Sequence, residues 1–265
     1  PPEFEGPFDF MREWTLSRFT DDAELALKKI RDETGLPVFV AGFSRGATFA
    51  FTLAGRAQLA GLIILDGSFK DFETATFDRE SEMAALHKRK QYVSILSRSR
   101  GWENRQEMMR RAWQNPEGPA LDDRFASAGE QLASTLYNAW GEGGLANPRD
   151  GISSVEVLGR LMEGYDRFYP MIQNVEGRAM ASYRDDPATP LDDHFGEMSV
   201  PIIYFGATNL GTDHLLDGIW SVGYSGSRDV TYHVLENYGH VDVLVADNAV
   251  TDVYRIIARW IDSHR

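Results

Sequence analysis

Cysteine is absent from the 265 residues, which excludes disulfides, a thiolate metal site and a cysteine nucleophile. Basic residues are few beside acidic ones. Lys and Arg total 27 against 40 Asp and Glu, giving a formal net charge of −13 and a pI near 4.9. A surface of that sign argues against nucleic acid as a partner. No apolar run approaches the ~18 residues of a membrane-spanning helix. Neither HExxH nor a histidine pair at ligand spacing occurs, so no metal and no cofactor is expected. Internal repeats and low-complexity tracts are also missing. A chain without cysteine suits the cytoplasm and an exported protein without disulfides equally, so the compartment stays open. What is plentiful is apolar material. At 43% hydrophobic and 12% aromatic residues, the chain can fill one large core, or a core and a cap.

The organising stretch is Pro37-Val-Phe-Val-Ala-Gly-Phe-Ser-Arg-Gly-Ala47. Residues 38–41 form a short apolar run, bounded by Pro37 and stopped by Gly42, which predicts a buried strand. Gly42-Phe43-Ser44-Arg45-Gly46 then fits G-x-S-x-G, and residues 47–59 continue as a helix. Strand, sharp turn and helix are the context a nucleophile elbow requires. The serine backbone there is strained, so the residues two positions either side are expected to be small.

Upstream, residues 1–19 are rich in proline and aromatics and read as an irregular lead-in. Thr20 is placed to cap a helix over residues 21–34, and Gly35 to end it in the left-handed conformation. Residues 61–65 are a second continuous apolar run of strand length. Strand, helix, strand in this order predicts a βαβ unit in a parallel sheet covered on both faces. From about residue 69 the texture turns helical for some 130 residues, over 74–98, 102–115, 123–140 and 154–182, with breaks at Gly101, Pro116, Gly141 and Pro187. This reads as an inserted cap with a core of Tyr137, Trp140, Tyr165, Phe168 and Tyr169. Strands resume at 200–205 and 229–235, and a helix over 247–263 closes the chain. The expected organisation is residues 1–68 as core, 69–199 as helical cap insertion and 200–265 as the rest of the core.

With its G-x-S-x-G elbow and the loop Gly239-His240-Val241-Asp242 after the last strand, the chain resembles the α/β-hydrolase family, in particular its serine esterases and lipases. The resemblance covers residues 20–68 and 198–265. It implies an α/β fold with a mostly parallel sheet and a catalytic triad in the order serine, acid, histidine. Ser44 would be the nucleophile and His240 the base. The acid has two candidates: Asp213, in the loop after strand 200–205, and Asp66, directly after strand 61–65. Where the family most often carries the acid, this chain has Asn209. Asp242 reads as a helix cap. His87, His194, His214, His233 and His264 are expected to be structural. The Arg45 backbone N–H would be one oxyanion donor, and its side chain is expected to be solvated or salt-bridged, with no catalytic role.

The resemblance also implies strands ahead of the elbow strand, and the 37 residues before Val38 leave no room for them. A strand at 38–41 would then be a bare sheet edge. The expectation is therefore that the N-terminal strands are missing from this chain, and that a separate N-terminal fragment or second chain completes the sheet. The function implied is cleavage of carboxylic esters, of bulky or apolar substrates, through an acyl-enzyme. The same triad would serve a thioesterase, acyltransferase or peptidase. The asparagine at the usual acid position leaves a second class open, a non-catalytic binding protein on the same scaffold.

Overall fold

A computed structural model describes residues 8–73, 77–90, 92, 100–132, 153–163, 170–182 and 194–265. Its centre is a sheet of four parallel strands, β1 (Phe39–Phe43), β2 (Gly61–Leu65), β3 (Ile202–Ala207) and β4 (Val230–Leu235), in that spatial order. Alternation along β2 and β3 splits the apolar residues between two cores. Leu62, Ile64, Ile202 and Tyr204 face one, and Ile63, Leu65, Ile203 and Phe205 face the other. All eight are buried, so both faces are covered, as the continuous apolar runs require. Each such Leu or Ile contributes about 1.5–3 kcal/mol.

The first core is roofed by α1 (Leu16–Thr34) and α2 (Gly46–Arg56), which supply Leu27, Ala50 and Phe51. The helix α1 begins ahead of the expected start. Its N-cap is Thr15, whose hydroxyl accepts the Arg18 N–H at 3.2 Å, whereas Thr20 is buried and donates to the Leu16 carbonyl at 2.9 Å. Leu16 and Thr20 face the core, and this burial extends the helix backward through a segment that carries no cap signal of its own at Thr20. Gly35 ends it in the left-handed region, with φ 62°, as expected. The lead-in is not wholly irregular: Phe8–Glu13 form a 3-10 helix.

Among the described residues, four helices lie between β2 and β3: α3 (Arg79–Arg89), α4 (Arg100–Gln114), α5 (Val155–Glu163) and α6 (Met171–Ser182). Leu86 of α3 packs with Ile172 and Val175 of α6. Met108 and Met109 of α4 pack with Leu158 of α5 and with Val241. The aromatics Tyr137, Trp140, Tyr165, Phe168 and Tyr169 lie outside the described residues. After β3 come α7 (Thr212–Gly223), then β4, the short α8 (Asp242–Val245), a π turn at Val250–Tyr254 and α9 (Arg255–Ser263). The expected single closing helix is widened at its start, where the Arg255 N–H reaches back to the Val250 carbonyl.

The strand β1 lies at one edge, and its Ala41 is exposed while every residue of β2 is buried. Among the described residues no strand pairs with its outer side, so the separate segment expected there is not supplied by any described part of the chain.

Candidate active site

The sheet register assembles the site. Phe43, Leu65 and Phe205 are side by side at the carboxyl ends of β1, β2 and β3. One residue further on, the Ser44 N–H donates to the Leu65 carbonyl at 3.0 Å, and the Asp66 N–H donates to the Phe205 carbonyl at 2.7 Å. Ser44 and Asp66 therefore leave adjacent strands together, at the strand ends where open parallel sheets bind ligands. Both backbones are left-handed without being glycine, with φ 54° at Ser44 and 43° at Asp66. Such conformations cost about 1–3 kcal/mol each and persist only where surrounding contacts hold them.

Space around the elbow is tight on one side only. A Cβ on Gly42 would lie 2.5 Å from the Gly46 carbonyl oxygen, and one on Gly67 would lie 2.4 Å from that of Ser44. A Cβ on Gly46 would meet nothing within 4 Å. The steric demand expected on both sides of Ser44 thus applies to Gly42, and also to Gly67 in the loop after the neighbouring strand, but not to Gly46. The Arg45 N–H sits at the N-terminal end of α2, where backbone donors point outward. The Arg45 side chain, of which no catalytic role is expected, donates from Nη1 to Asn174 Oδ1 of α6 at 2.6 Å. This bond fastens one of the inserted helices to the elbow.

His240 arrives on the loop after β4. Its Nδ1 is 2.6 Å from Asp66 Oδ2, and its ring stacks on Phe43 with centroids 4.6 Å apart. Asp66 is fully buried, and its Oδ1 accepts the Ala207 N–H at 2.8 Å. An ionised carboxylate only accepts, so His240 Nδ1 is the donor, and in the neutral ring Nε2 is then the acceptor. No hydrogen bond joins the Ser44 hydroxyl to His240 in this structure; Ser44 directly follows Phe43, on which the His240 ring stacks. Burial opposes ionisation of Asp66, but hydrogen bonds and charge from His214 and His240 outweigh it and hold the carboxyl below its usual range.

Asp213, the first-named acid candidate, lies exposed in the first turn of α7, and the carboxylate on His240 is that of Asp66. Its neighbour His214 is the residue sequence reasoning missed. His214 Nε2 is 3.2 Å from the Asp66 main-chain oxygen and 3.5 Å from Oδ1, and its ring stands edge-on to His240 at 5.5 Å. Burial lowers its basicity, yet the bonds to Asp66 and the charges of Asp66 and Asp217 raise its pKa overall. Successive helical residues point about 100° apart, so a loop of unknown helix phase does not reveal whether 213 or 214 faces inward. Asp66, His214 and His240 hold donor atoms all within 4.8 Å of one another, a set that could also take a divalent metal.

Asn209 braces the histidine loop. Its backbone N–H donates to the Tyr238 carbonyl at 2.9 Å, and its Nδ2 to the Asn237 carbonyl at 2.8 Å. Asp242 is fully buried; it accepts the Gly239 N–H at 2.8 Å and the Ser153 hydroxyl, tying the inserted region to the same loop. It is thus a brace reaching backward and not a cap ahead of its helix. His233 is stacked on Phe205, and His87, His194 and His264 bond Tyr92, Glu197 and Asp229 respectively, away from this cluster.

No protein-family model matches the sequence, and no curated protein does. Solved structures do resemble the chain. A candidate lipase from Sulfolobus solfataricus is 22% identical with a TM-score of 0.74, the match covering 97% of this chain and 68% of that one. A thermostable carboxyl esterase from Bacillus coagulans is 16% identical with a TM-score of 0.56, over 92% of this chain and 70% of that one. A monoacylglycerol lipase from Paleococcus ferrophilus is 14% identical with a TM-score of 0.50, over 93% and 76%. At these identities the likeness is one of fold.

Proposed function

We propose, from the premise that the chain has the α/β-hydrolase fold, that it is a serine hydrolase of carboxylic esters with Ser44 as nucleophile, His240 as base and Asp66 as acid. The observation that carries this reading is the 2.6 Å bond from His240 Nδ1 to the buried Asp66 carboxylate, beside a serine held at φ 54°. The solved structures of similar fold include a carboxyl esterase and a monoacylglycerol lipase, which supports an ester as the substrate.

In this reading Ser44 Oγ attacks the ester carbonyl carbon while His240 Nε2 takes the hydroxyl proton. Asp66 accepts the Nδ1 proton's hydrogen bond throughout, fixing the tautomer and stabilising the imidazolium. The Arg45 N–H donates to the oxyanion. Collapse of the tetrahedral intermediate breaks the carbonyl carbon–oxygen bond, and the leaving alcohol takes the proton from Nε2. Water, deprotonated by His240, then cleaves the acyl-Ser44 bond and frees the carboxylic acid. Residues 69–199 act as a cap, with α6 held over the elbow by Asn174 and Arg45.

The assignment of the acid separates two variants. Asp66→Asn should lower kcat on a p-nitrophenyl ester by about 10⁴-fold, whereas Asp213→Asn should leave it within about twofold, as for a surface change far from special features. Equal, small losses in both would remove Asp66 from the triad. Transfer of the same acyl group from a thioester at higher kcat/KM would move the substrate class to thioesters.

A further inference from the structure

Asp66 is asked to do two unfavourable things. Its backbone stays at φ 43°, and its carboxylate stays ionised with no exposure to water. His240 and the Ala207 N–H engage the carboxylate oxygens, but neither touches the Asp66 main chain on its carbonyl side. His214 does. Its Nε2 reaches the Asp66 main-chain oxygen at 3.2 Å and stands 3.5 Å from Oδ1, so one imidazole contacts both the strained backbone and the charge. It is carried on α7, which packs against β3, so this contact has a rigid support.

We propose that His214 is a positioning residue for the esterase site, holding Asp66 in its left-handed conformation so that the carboxylate stays on His240. This rests on the reading of Ser44, His240 and Asp66 as the triad. Facing His214 are Asp66 from the end of β2 and His240 from the loop after β4, with Asp217 one turn along α7.

The test is kcat and KM on a p-nitrophenyl ester for the wild type, His214→Gln and His214→Phe. Glutamine keeps a donor near the Nε2 position, and phenylalanine keeps none. His214→Gln should retain kcat within about twofold and His214→Phe should lose about tenfold with KM unchanged. A kcat for His214→Phe within about twofold of the wild type, or equal losses in both variants, overturns the inference while leaving the esterase reading intact. Wild-type protein without ester turnover overturns that reading, and this inference with it.

Discussion

Asp66 keeps a carboxylate out of water between two imidazoles, and both partners leave a mark on stability. Its pKa is held down in the folded state, so this contribution is present above the unfolded value of about 3.9 and is lost as pH falls through the folded value. His214 has the opposite sign. Its folded pKa is raised, so its contribution is full below the unfolded value of about 6.5 and is lost as pH rises through the folded one. The difference in urea-unfolding stability between wild type and His214→Gln should therefore be larger at pH 6 than at pH 9. A difference independent of pH would show that the imidazole charge is not coupled to Asp66. The two glycines around Ser44 also divide. A Cβ at position 42 would drive into main-chain atoms at 2.5 Å, and one at 46 would enter open space. Gly42→Ala should cost about 1–3 kcal/mol, as overpacking does. Gly46→Ala should be neutral or stabilising by a few tenths of a kcal/mol, since alanine is the better helix former. Chemical denaturation of the two variants checks this, and equal costs would contradict the geometry.

Elements follow from patterns that the sequence carries openly. The runs 61–65 and 200–205 are apolar without interruption because both faces of β2 and β3 are covered, and each became a central strand within two residues of its expected limits. Ile203 is fully buried in the second core, under Val243 and Val253. Ile203→Ala should cost about 2–5 kcal/mol, read as a shifted urea midpoint with an unchanged slope; a cost under ~1 kcal/mol would mean the site collapses freely. Boundaries were less legible, for physical reasons. The start of α1 is set by burial of Leu16 and by the Glu176 carboxylate of α6, which accepts the Leu16 N–H at 2.6 Å across 160 residues. No local pattern near Thr15 announces a partner so distant. The choice between Asp66 and Asp213 was hidden in the same way, because it depends on how β2, the β4 loop and α7 meet in space.

On the scale of the whole molecule, the sheet brings Ser44, Asp66 and the histidine loop to one end, and the inserted region is tied there through Asn174 and Ser153. Ser44 and the Gly-His signal were visible because each follows a strand, where the chain must turn. Asn174, Ser153 and His214 were invisible because they act through contacts made only when the insertion and α7 dock on the sheet. Asp66, His214 and His240 nevertheless form one cluster drawn from three segments, with Ser44 at the end of the neighbouring strand, and the proposed hydrolase activity turns on Ser44 reacting there. The most direct test is reaction of the purified protein with a fluorophosphonate probe, with the modified peptide located by mass spectrometry. Covalent labelling is expected at Ser44, abolished in His240→Ala and strongly slowed in Asp66→Asn. Labelling elsewhere, or none at Ser44 in folded wild-type protein, would contradict the hydrolase proposal and leave a binding scaffold as the better reading.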